Sequence, residues 1–295
     1  MRSTRENVVY LDGVPLPDTL TVTADLLEAV DGSDLVVSAV PSHGCRAVIR
    51  AAASSLASDA TIVSTTKGLE TATLQRMSEV IEEEVGPGRA VVVLSGPSFA
   101  AEVARQLPTA VLVASASREA MEFVQAEFRG PYFRLYGSPD VVGVEIGGAL
   151  KNIIAIAAGV VEGLGLGHNA LAALITRGLA EITRLACAVG GHRETLAGLS
   201  GLGDLVLTCT ANLSRNRRVG LELAKGRSLP EILAGMKMVA EGVPTTHAAL
   251  ALGRRHGVEL PIATQMAEVL AGRSDVHTAL DALMVRRQRA EAEPA

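Results

Sequence analysis

The stretch DLVVSAVPSHGCRAVIRAAASSLASDATIVST, residues 34–65, decides the fold. A continuous apolar run from Asp34 to Val40 is followed by a helically spaced segment from His43 to Ser55 and a second apolar run from Thr61 to Thr65. Short β-branched runs bounded by Pro, Gly or Ser read as strands buried on both faces, and a helix between two of them makes a parallel crossover. The pattern extends in both directions. Upstream, Ala24–Val30 reads as a helix and Leu20–Thr23 as a short strand, while residues 1–18 read as a polar lead and loop because Pro15 and Pro17 discourage regular structure. Downstream come a helix over Thr71–Val85, a strand at Ala90–Leu94, a helix over Phe99–Gln106 with Ser98 as its N-cap, and strands at 110–114 and 133–136. This is a doubly wound, Rossmann-like α/β arrangement with a parallel sheet over residues 1–139. After Asp140 the strand signal disappears, and residues 140–295 read as an all-α domain with glycine-rich breaks at 163–167, 190–191, 198–203 and 272.

Composition narrows the function. With 295 residues, 48% hydrophobic and 20% charged, the chain has ample core for two domains. A net charge of -5, 2% aromatic residues and no Trp exclude a nucleic-acid partner. Cys45, Cys187 and Cys209 lack C-x-x-C spacing, and the six His are scattered, so neither a disulfide framework nor a metal site is implied and a cytoplasmic location is expected. Residues 141–160, VVGVEIGGALKNIIAIAAGV, are long enough to span a bilayer, but Glu145, Lys151, Asn152 and four glycines make insertion expensive, and no membrane partner is expected.

Lys151 stands out in that helix. A buried ammonium must reach water along its alkyl stem, pair with a carboxylate, or give up its proton. Gly147 lies one turn before Lys151 and Gly148 one turn before Asn152, which reads as space cleared for a ligand or another backbone. A desolvated lysine facing such a gap is a candidate acid/base. Asp204, in a glycine-rich turn, is the best carboxylate to orient it.

Ligands of doubly wound sheets collect beyond the carboxyl ends of the strands, which marks Pro41-Ser42-His43, Thr66-Lys67-Gly68 and Ser95-Gly96-Pro97-Ser98. A second cluster opens a helix running from the N-cap Ser214 to about Lys225, whose first turn carries Arg215, Arg217 and Arg218. Cations at the positive end of a helix are unfavourable unless they face solvent or an anionic ligand. A phosphate there would take backbone N–H bonds, the Ser214 hydroxyl, the Asn216 amide and a bidentate Arg215.

The blocks VPSH (40–43), TTKGLE (65–70), SGPSFAAEVA (95–104), VEIGGALKNIIAIAAG (144–159), LITRGLAEITRL (174–185), GLGDLVLTCT (201–210), LSRNRR (213–218) and VAEGV (239–243) together resemble bacterial NAD(P)-dependent glycerol-3-phosphate dehydrogenase. The resemblance covers nearly the whole chain. It implies interconversion of dihydroxyacetone phosphate and sn-glycerol 3-phosphate by hydride transfer with NAD or NADP, in the service of glycerophospholipid synthesis. It implies Lys151 as proton donor and acceptor, with Asp204 beside it. Lys67, Gly96, Ser98, Asp204, Ser214, Arg215 and Asn216 would contact the phosphorylated substrate, and Lys67, Ala100, Arg215, Val239 and Glu241 the nicotinamide cofactor.

The family opens with a strand, a G-x-G-x-x-G-like turn, a helix and a second strand, and this chain shows none of these before Glu6-Asn7. The dinucleotide-binding sheet is therefore expected to be incomplete, with Asp34–Val40 an unpaired apolar edge that is compatible with a homodimer. A start site placed too late explains this better than a truncated relative, because the other site blocks are intact. Two alternatives stand beside the main reading. One is a β-hydroxyacid dehydrogenase, which the LSRNRR cluster disfavours. The other is a catalytically impaired remnant that only binds phosphate ligands or pairs with another chain.

Overall fold

A computed structural model describes residues 1–287 and Ala290. The chain begins with an antiparallel hairpin, β1 (Glu6–Asn7) and β2 (Leu11–Pro15), followed by α1 (Leu26–Val30), β3 (Leu35–Ser38), α2 (Ser42–Ala52), β4 (Thr61–Ser64), α3 (Met77–Val85) and β5 (Val91–Ser95). Then come α4 (Ala100–Ala104), β6 (Thr109–Ala114), α5 (Arg118–Phe128) and β7 (Phe133–Ser138). The remainder is helical: α6 (Val141–Gly163), α7 (Gly167–Ala188), α8 (Arg193–Leu196), a π-helical turn (Leu199–Gly203), α9 (Asp204–Thr210), α10 (Arg215–Ala224), α11 (Leu229–Ala234), α12 (Gly242–His256), α13 (Pro261–Leu270) and α14 (Val276–Met284).

The main sheet has the order β3-β4-β5-β6-β7. Its central strands β4 and β5 are buried along their whole length. Successive residues alternate between two apolar layers. Ile62 and Val91 face Cys45, Ile49, Met77 and Ile81 of α2 and α3, whereas Val63 and Val92 face Val111, Ala120 and Val124 of β6 and α5. Helices on both faces explain the unbroken apolar runs of these strands.

Four local expectations are corrected. The strand pairs β3-β4, β4-β5 and β6-β7 are parallel, but β5 and β6 are antiparallel. Gly96 (φ +137°) and Gln106 (φ +58°) fold the intervening segment back, so the chain re-enters the sheet at the end it left. Ser98 does not cap α4: Phe99 holds that position, and the Ser98 hydroxyl donates to the Gly96 carbonyl at 3.1 Å. The helix expected from Thr71 begins only at Met77, because Leu74 takes the left-handed conformation (φ +67°) in the preceding turn. Residues 20–23 are not a strand, and the regular structure near the start is the β1-β2 hairpin. Val14 alternates inward there between exposed Gly13 and Pro15, so Pro15 closes the strand rather than preventing it. As expected, β3 is an edge of the sheet, with Val37 44% exposed.

The axis of the helical part is α6. Its length and hydropathy would suffice to cross a membrane, but 89% of its most apolar window is buried inside the protein. Its glycines are sites of close approach. A Cβ on Gly159 would lie 1.9 Å from the Arg217 carbonyl oxygen, and one on Gly220 would lie 1.9 Å from that of Ile156. Thus α6 and α10 cross backbone to backbone, which sets the first turn of α10 against the middle of α6. Gly220→Ala should therefore destabilise the fold by about 3 kcal/mol or more, the upper range for overpacking, because only backbone displacement removes the clash. Gly44→Ala, in α2 with only Val40 Cγ1 at 3.4 Å, should stay within about 1 kcal/mol of the parent. Chemical-denaturation midpoints decide between them, and equal midpoints would refute the close crossing.

Candidate active site

Two lysines from separate elements meet at one carboxylate. Lys151 projects from the middle of α6, Asp204 opens α9, and Lys67 follows β4 in a loop. Lys151 Nζ donates to Asp204 Oδ1 at 2.8 Å and to Thr208 Oγ1 at 2.6 Å. Lys67 Nζ donates to Asp204 Oδ2 at 2.6 Å and to the Gly96 carbonyl at 2.9 Å. Asp204 and Lys151 are buried, whereas the Lys67 side chain is 23% exposed. The cluster therefore reaches solvent on the Lys67 side.

Local structure fixes this geometry. The π-helical turn Leu199–Gly203 runs into α9 and delivers Asp204 to its first position; π-bulges frequently mark functional sites. Thr208, one turn later, faces the same way. Its hydroxyl donates to the Asp204 carbonyl at 2.6 Å and accepts from Lys151, so the lysine meets an acceptor whose own proton is committed elsewhere.

The glycines beside Lys151 do clear space, but protein fills it. A Cβ on Gly147 would lie 3.0 Å from Leu196 Cδ1 and from the Ser200 carbonyl. One on Gly148 would lie 2.9 Å from Ser95 Oγ and 3.6 Å from Lys67 Cγ. The bare surface of α6 thus admits the Lys67 stem, and through it the second ammonium.

Electrostatics make Lys151 readily deprotonated. Burial, then the neighbouring Lys67 ammonium, lower its pKa from 10.5 to about 8, against the opposing pull of Asp204. For Asp204, burial raises the pKa, but Lys67 and Lys151 outweigh it and hold the carboxyl below its ordinary value.

A separate hydrogen-bond chain starts at Asn152, the residue after Lys151, and runs to the neighbouring elements. Asn216 Nδ2 donates to Asn152 Oδ1 at 2.9 Å, and Asn216 Oδ1 accepts from the Gly242 N–H at 2.9 Å. The adjacent Glu241 accepts from the Ser42 N–H at 3.0 Å and from its hydroxyl at 2.5 Å, at the start of α2. These bonds tie α6, α10, α12 and the β3-side loop together.

The arginine cluster divides. Arg217 is buried, bonded to Glu162 and, at 2.9 Å, to Asn212 Oδ1, so it serves the fold. Arg215 is exposed and has no ion-pair partner among the described residues. Ser214 caps α10 by accepting from the Arg217 N–H at 3.2 Å. The Asn216 amide spends its oxygen and one N–H on protein, which leaves at most one N–H for a ligand. Of the remaining expected residues, Gly96 is buried beside Lys67, Ser98 and Val239 are half-buried, and Ala100 is exposed at the start of α4. Thr208 was missed, and only its four-residue spacing from Asp204 on a helix could have marked it; Ser42 was marked as part of a strand end but not as the partner of Glu241.

Comparison with known proteins finds relatives of both parts of the chain. Residues 140–281 match the model of the NAD-dependent glycerol-3-phosphate dehydrogenase C-terminus, and residues 1–121 that of its N-terminus. The glycerol-3-phosphate dehydrogenase [NAD(P)+] of Koribacter versatilis is 55% identical over 230 residues, covering 77% of this chain and 68% of the relative. The chain belongs to the NAD-dependent glycerol-3-phosphate dehydrogenase family. The corresponding enzyme of Moorella thermoacetica is 56% identical over 79% of this chain and 69% of its own. Among solved structures, the glycerol-3-phosphate dehydrogenase of Coxiella burnetii superposes with a TM-score of 0.92 at 40% identity, covering 97% of this chain and 88% of that one.

In this family member Asp204 is the counterion of two ammoniums, and its stability contribution has a defined sign. Its lowered pKa means that the contribution is present above pH 3.8 and is lost as pH falls through the folded value. Asp204→Asn strands a buried Lys151 ammonium, a loss of about 3–5 kcal/mol for a broken buried pair. Melting temperature should drop most near pH 6, where Lys151 is protonated, and least near pH 9, where it is neutral in the parent. A drop independent of pH would contradict the pairing.

Proposed function

We propose that the chain interconverts dihydroxyacetone phosphate and sn-glycerol 3-phosphate with NAD or NADP, and that Lys151 is its acid/base. The observation that carries this reading is the buried lysine with a pKa brought to about 8, held by one carboxylate and one hydroxyl and open on the Lys67 side. A lysine so poised gives a proton to a carbonyl oxygen in reduction and takes one from an alcohol in oxidation. Asp204 keeps its ammonium aimed, and Thr208 fixes the second donor direction.

Phosphate recognition falls to the first turn of α10. Arg215 is exposed without an ion-pair partner, and the Asn216–Asn152 bond places this turn beside the Lys151 turn of α6. A bidentate Arg215 and the helix N-terminus together suit a phosphate dianion.

The residues at the strand ends fit a nicotinamide. Glu241 is anchored over the loop after β3, its carboxylate fixed by Ser42, and Gly68 packs beneath with no room for a Cβ, which would lie 2.8 Å from Ser42 Cβ. Val239, two residues before Glu241, and the Lys67 stem, next to Gly68, offer apolar surface there, and Ala100 is a small exposed residue at the start of α4. When bound, the nicotinamide supplies the hydride to C2 of the ketone. No strand among the described residues runs into a G-x-G-x-x-G turn. A cytoplasmic location and a role in supplying glycerophospholipid synthesis belong to the same reading.

Two outcomes test it. Lys151→Met should abolish turnover, and the parent's reductive kcat/KM should fall as pH rises through about 8 while the oxidative kcat/KM rises, since reduction needs the ammonium and oxidation the amine. Arg215→Ala should raise the KM for dihydroxyacetone phosphate roughly ten- to a hundredfold, the loss of a charge-assisted pair of about 1.5–3 kcal/mol. Arg286→Ala, which removes an exposed pair with Glu259, should leave that KM unchanged. Retained turnover in the first variant, or equal KM changes in the other two, would defeat the assignment.

A further inference from the structure

We propose that Lys67 is a tuning residue for Lys151: by sharing the Asp204 carboxylate, its ammonium keeps the buried lysine able to release its proton in the working pH range. The proposal rests on the acid/base reading of Lys151 but concerns a different atom. Asp204 divides its two oxygens between two lysines, Oδ1 to Lys151 at 2.8 Å and Oδ2 to Lys67 at 2.6 Å. One negative charge therefore faces two positive ones, and the trio carries a net charge of +1 when both lysines are protonated. Two consequences follow from that count. The Lys67 cation repels the Lys151 cation directly, and it weakens the hold of Asp204 on Lys151 by neutralising part of the same carboxylate.

The surroundings leave few other groups to do this. The charged or titratable groups with the largest effects on Lys151 are Lys67 from the loop after β4, and Asp204 and Cys209 from α9. Asp204 favours the ammonium. Cys209 is buried and its thiol is pushed up to about 12, so it stays protonated and supplies no charge at working pH. Lys67 is the single cation in the set. Its side chain is 23% exposed, and its Nζ has the Gly96 carbonyl as a second acceptor at 2.9 Å. The fold makes room for it: a Cβ on Gly148 would lie 3.6 Å from Lys67 Cγ and 3.8 Å from Cδ, so α6 is bare where the Lys67 stem passes.

The test reads Lys151 directly, without cofactor or substrate. The chain has only four lysines, Lys67, Lys151, Lys225 and Lys237, so side-chain Nζ signals of lysine-labelled protein are few, and the Lys151 signal is assigned by its loss in Lys151→Met. In Lys67→Met the Lys151 titration midpoint should move up by roughly one pH unit or more, the scale of a neighbouring like charge removed from a buried group. Lys67→Arg, which keeps the charge, should restore the parent midpoint. Lys67→Gln serves as a second neutral variant should the methionine disturb folding. In active protein the alkaline limb of the reductive pH profile should move with the midpoint. An unmoved Lys151 midpoint in both neutral variants would overturn the proposal. So would an equal shift in Lys67→Arg, which would trace the effect to packing rather than charge. Neither result touches the acid/base assignment, which fails separately if Lys151→Met retains turnover.

Discussion

The rest of the structure depends on the sharing of one buried carboxylate by two lysines. A buried ion pair is a weak source of stability, because desolvating both partners offsets most of their attraction. Three charged groups packed into one cluster at the junction of α6, α9 and the β4 loop are thus poorly explained as a device for folding. They are well explained as a device for chemistry. The carboxylate holds Lys151 in the protein interior without locking its proton in place, since a second cation draws on the same charge. The bulk of the core meanwhile is apolar and surrounds α6 on nearly every side.

This arrangement requires helices to approach more closely than side chains allow. Gly148 lets the Lys67 stem cross α6, Gly147 admits the backbone of the π-helical turn that leads into Asp204, and the Gly159/Gly220 pair brings α10 into backbone contact. Each glycine weakens the isolated helix by about 1 kcal/mol relative to alanine. α6 therefore owes its stability to tertiary packing rather than to propensity. The same closeness allows short side chains to bridge helices: Asn216 spans from Asn152 to Gly242 with one amide, which a wider spacing would not permit.

How much of this was legible in the sequence follows from the range of each interaction. Strands β4 and β5 were readable because burial on both faces leaves an unbroken apolar run, β3 was readable from its apolar run although it lies at the sheet edge, and Ser214 was readable as a cap because its bond to Arg217 spans three residues. The oddity of Lys151 inside an apolar helix was readable as well, and so was Asp204 as its candidate partner. The antiparallel turn of β6 was not, since it depends on positive φ at Gly96 and Gln106, and a glutamine gives no sign of that. The split of the arginine cluster was also hidden. Arg215, Arg217 and Arg218 look alike in sequence, and only the 55-residue reach of Arg217 to Glu162 separates the structural one from the free one. Glycines announced a close approach without saying what approaches.

The charge count also bears on substrate choice. With both lysines protonated, the Asp204 cluster is left one charge positive, and Arg215, exposed at the start of α10, has no ion-pair partner among the described residues. A neutral hydroxyketone would leave that excess uncompensated, whereas a phosphate dianion would balance it. The site thus favours an anionic substrate even before shape is considered, because the field of an unneutralised, partly buried cluster is poorly screened by solvent. It also disfavours a substrate with its anion at the reacting carbon. Such a group would draw its charge onto Lys151 and raise the pKa that burial and Lys67 have lowered. Arg215 and Lys151 stand on different helices, α10 and α6, and the Asn152–Asn216 bond links those two helices.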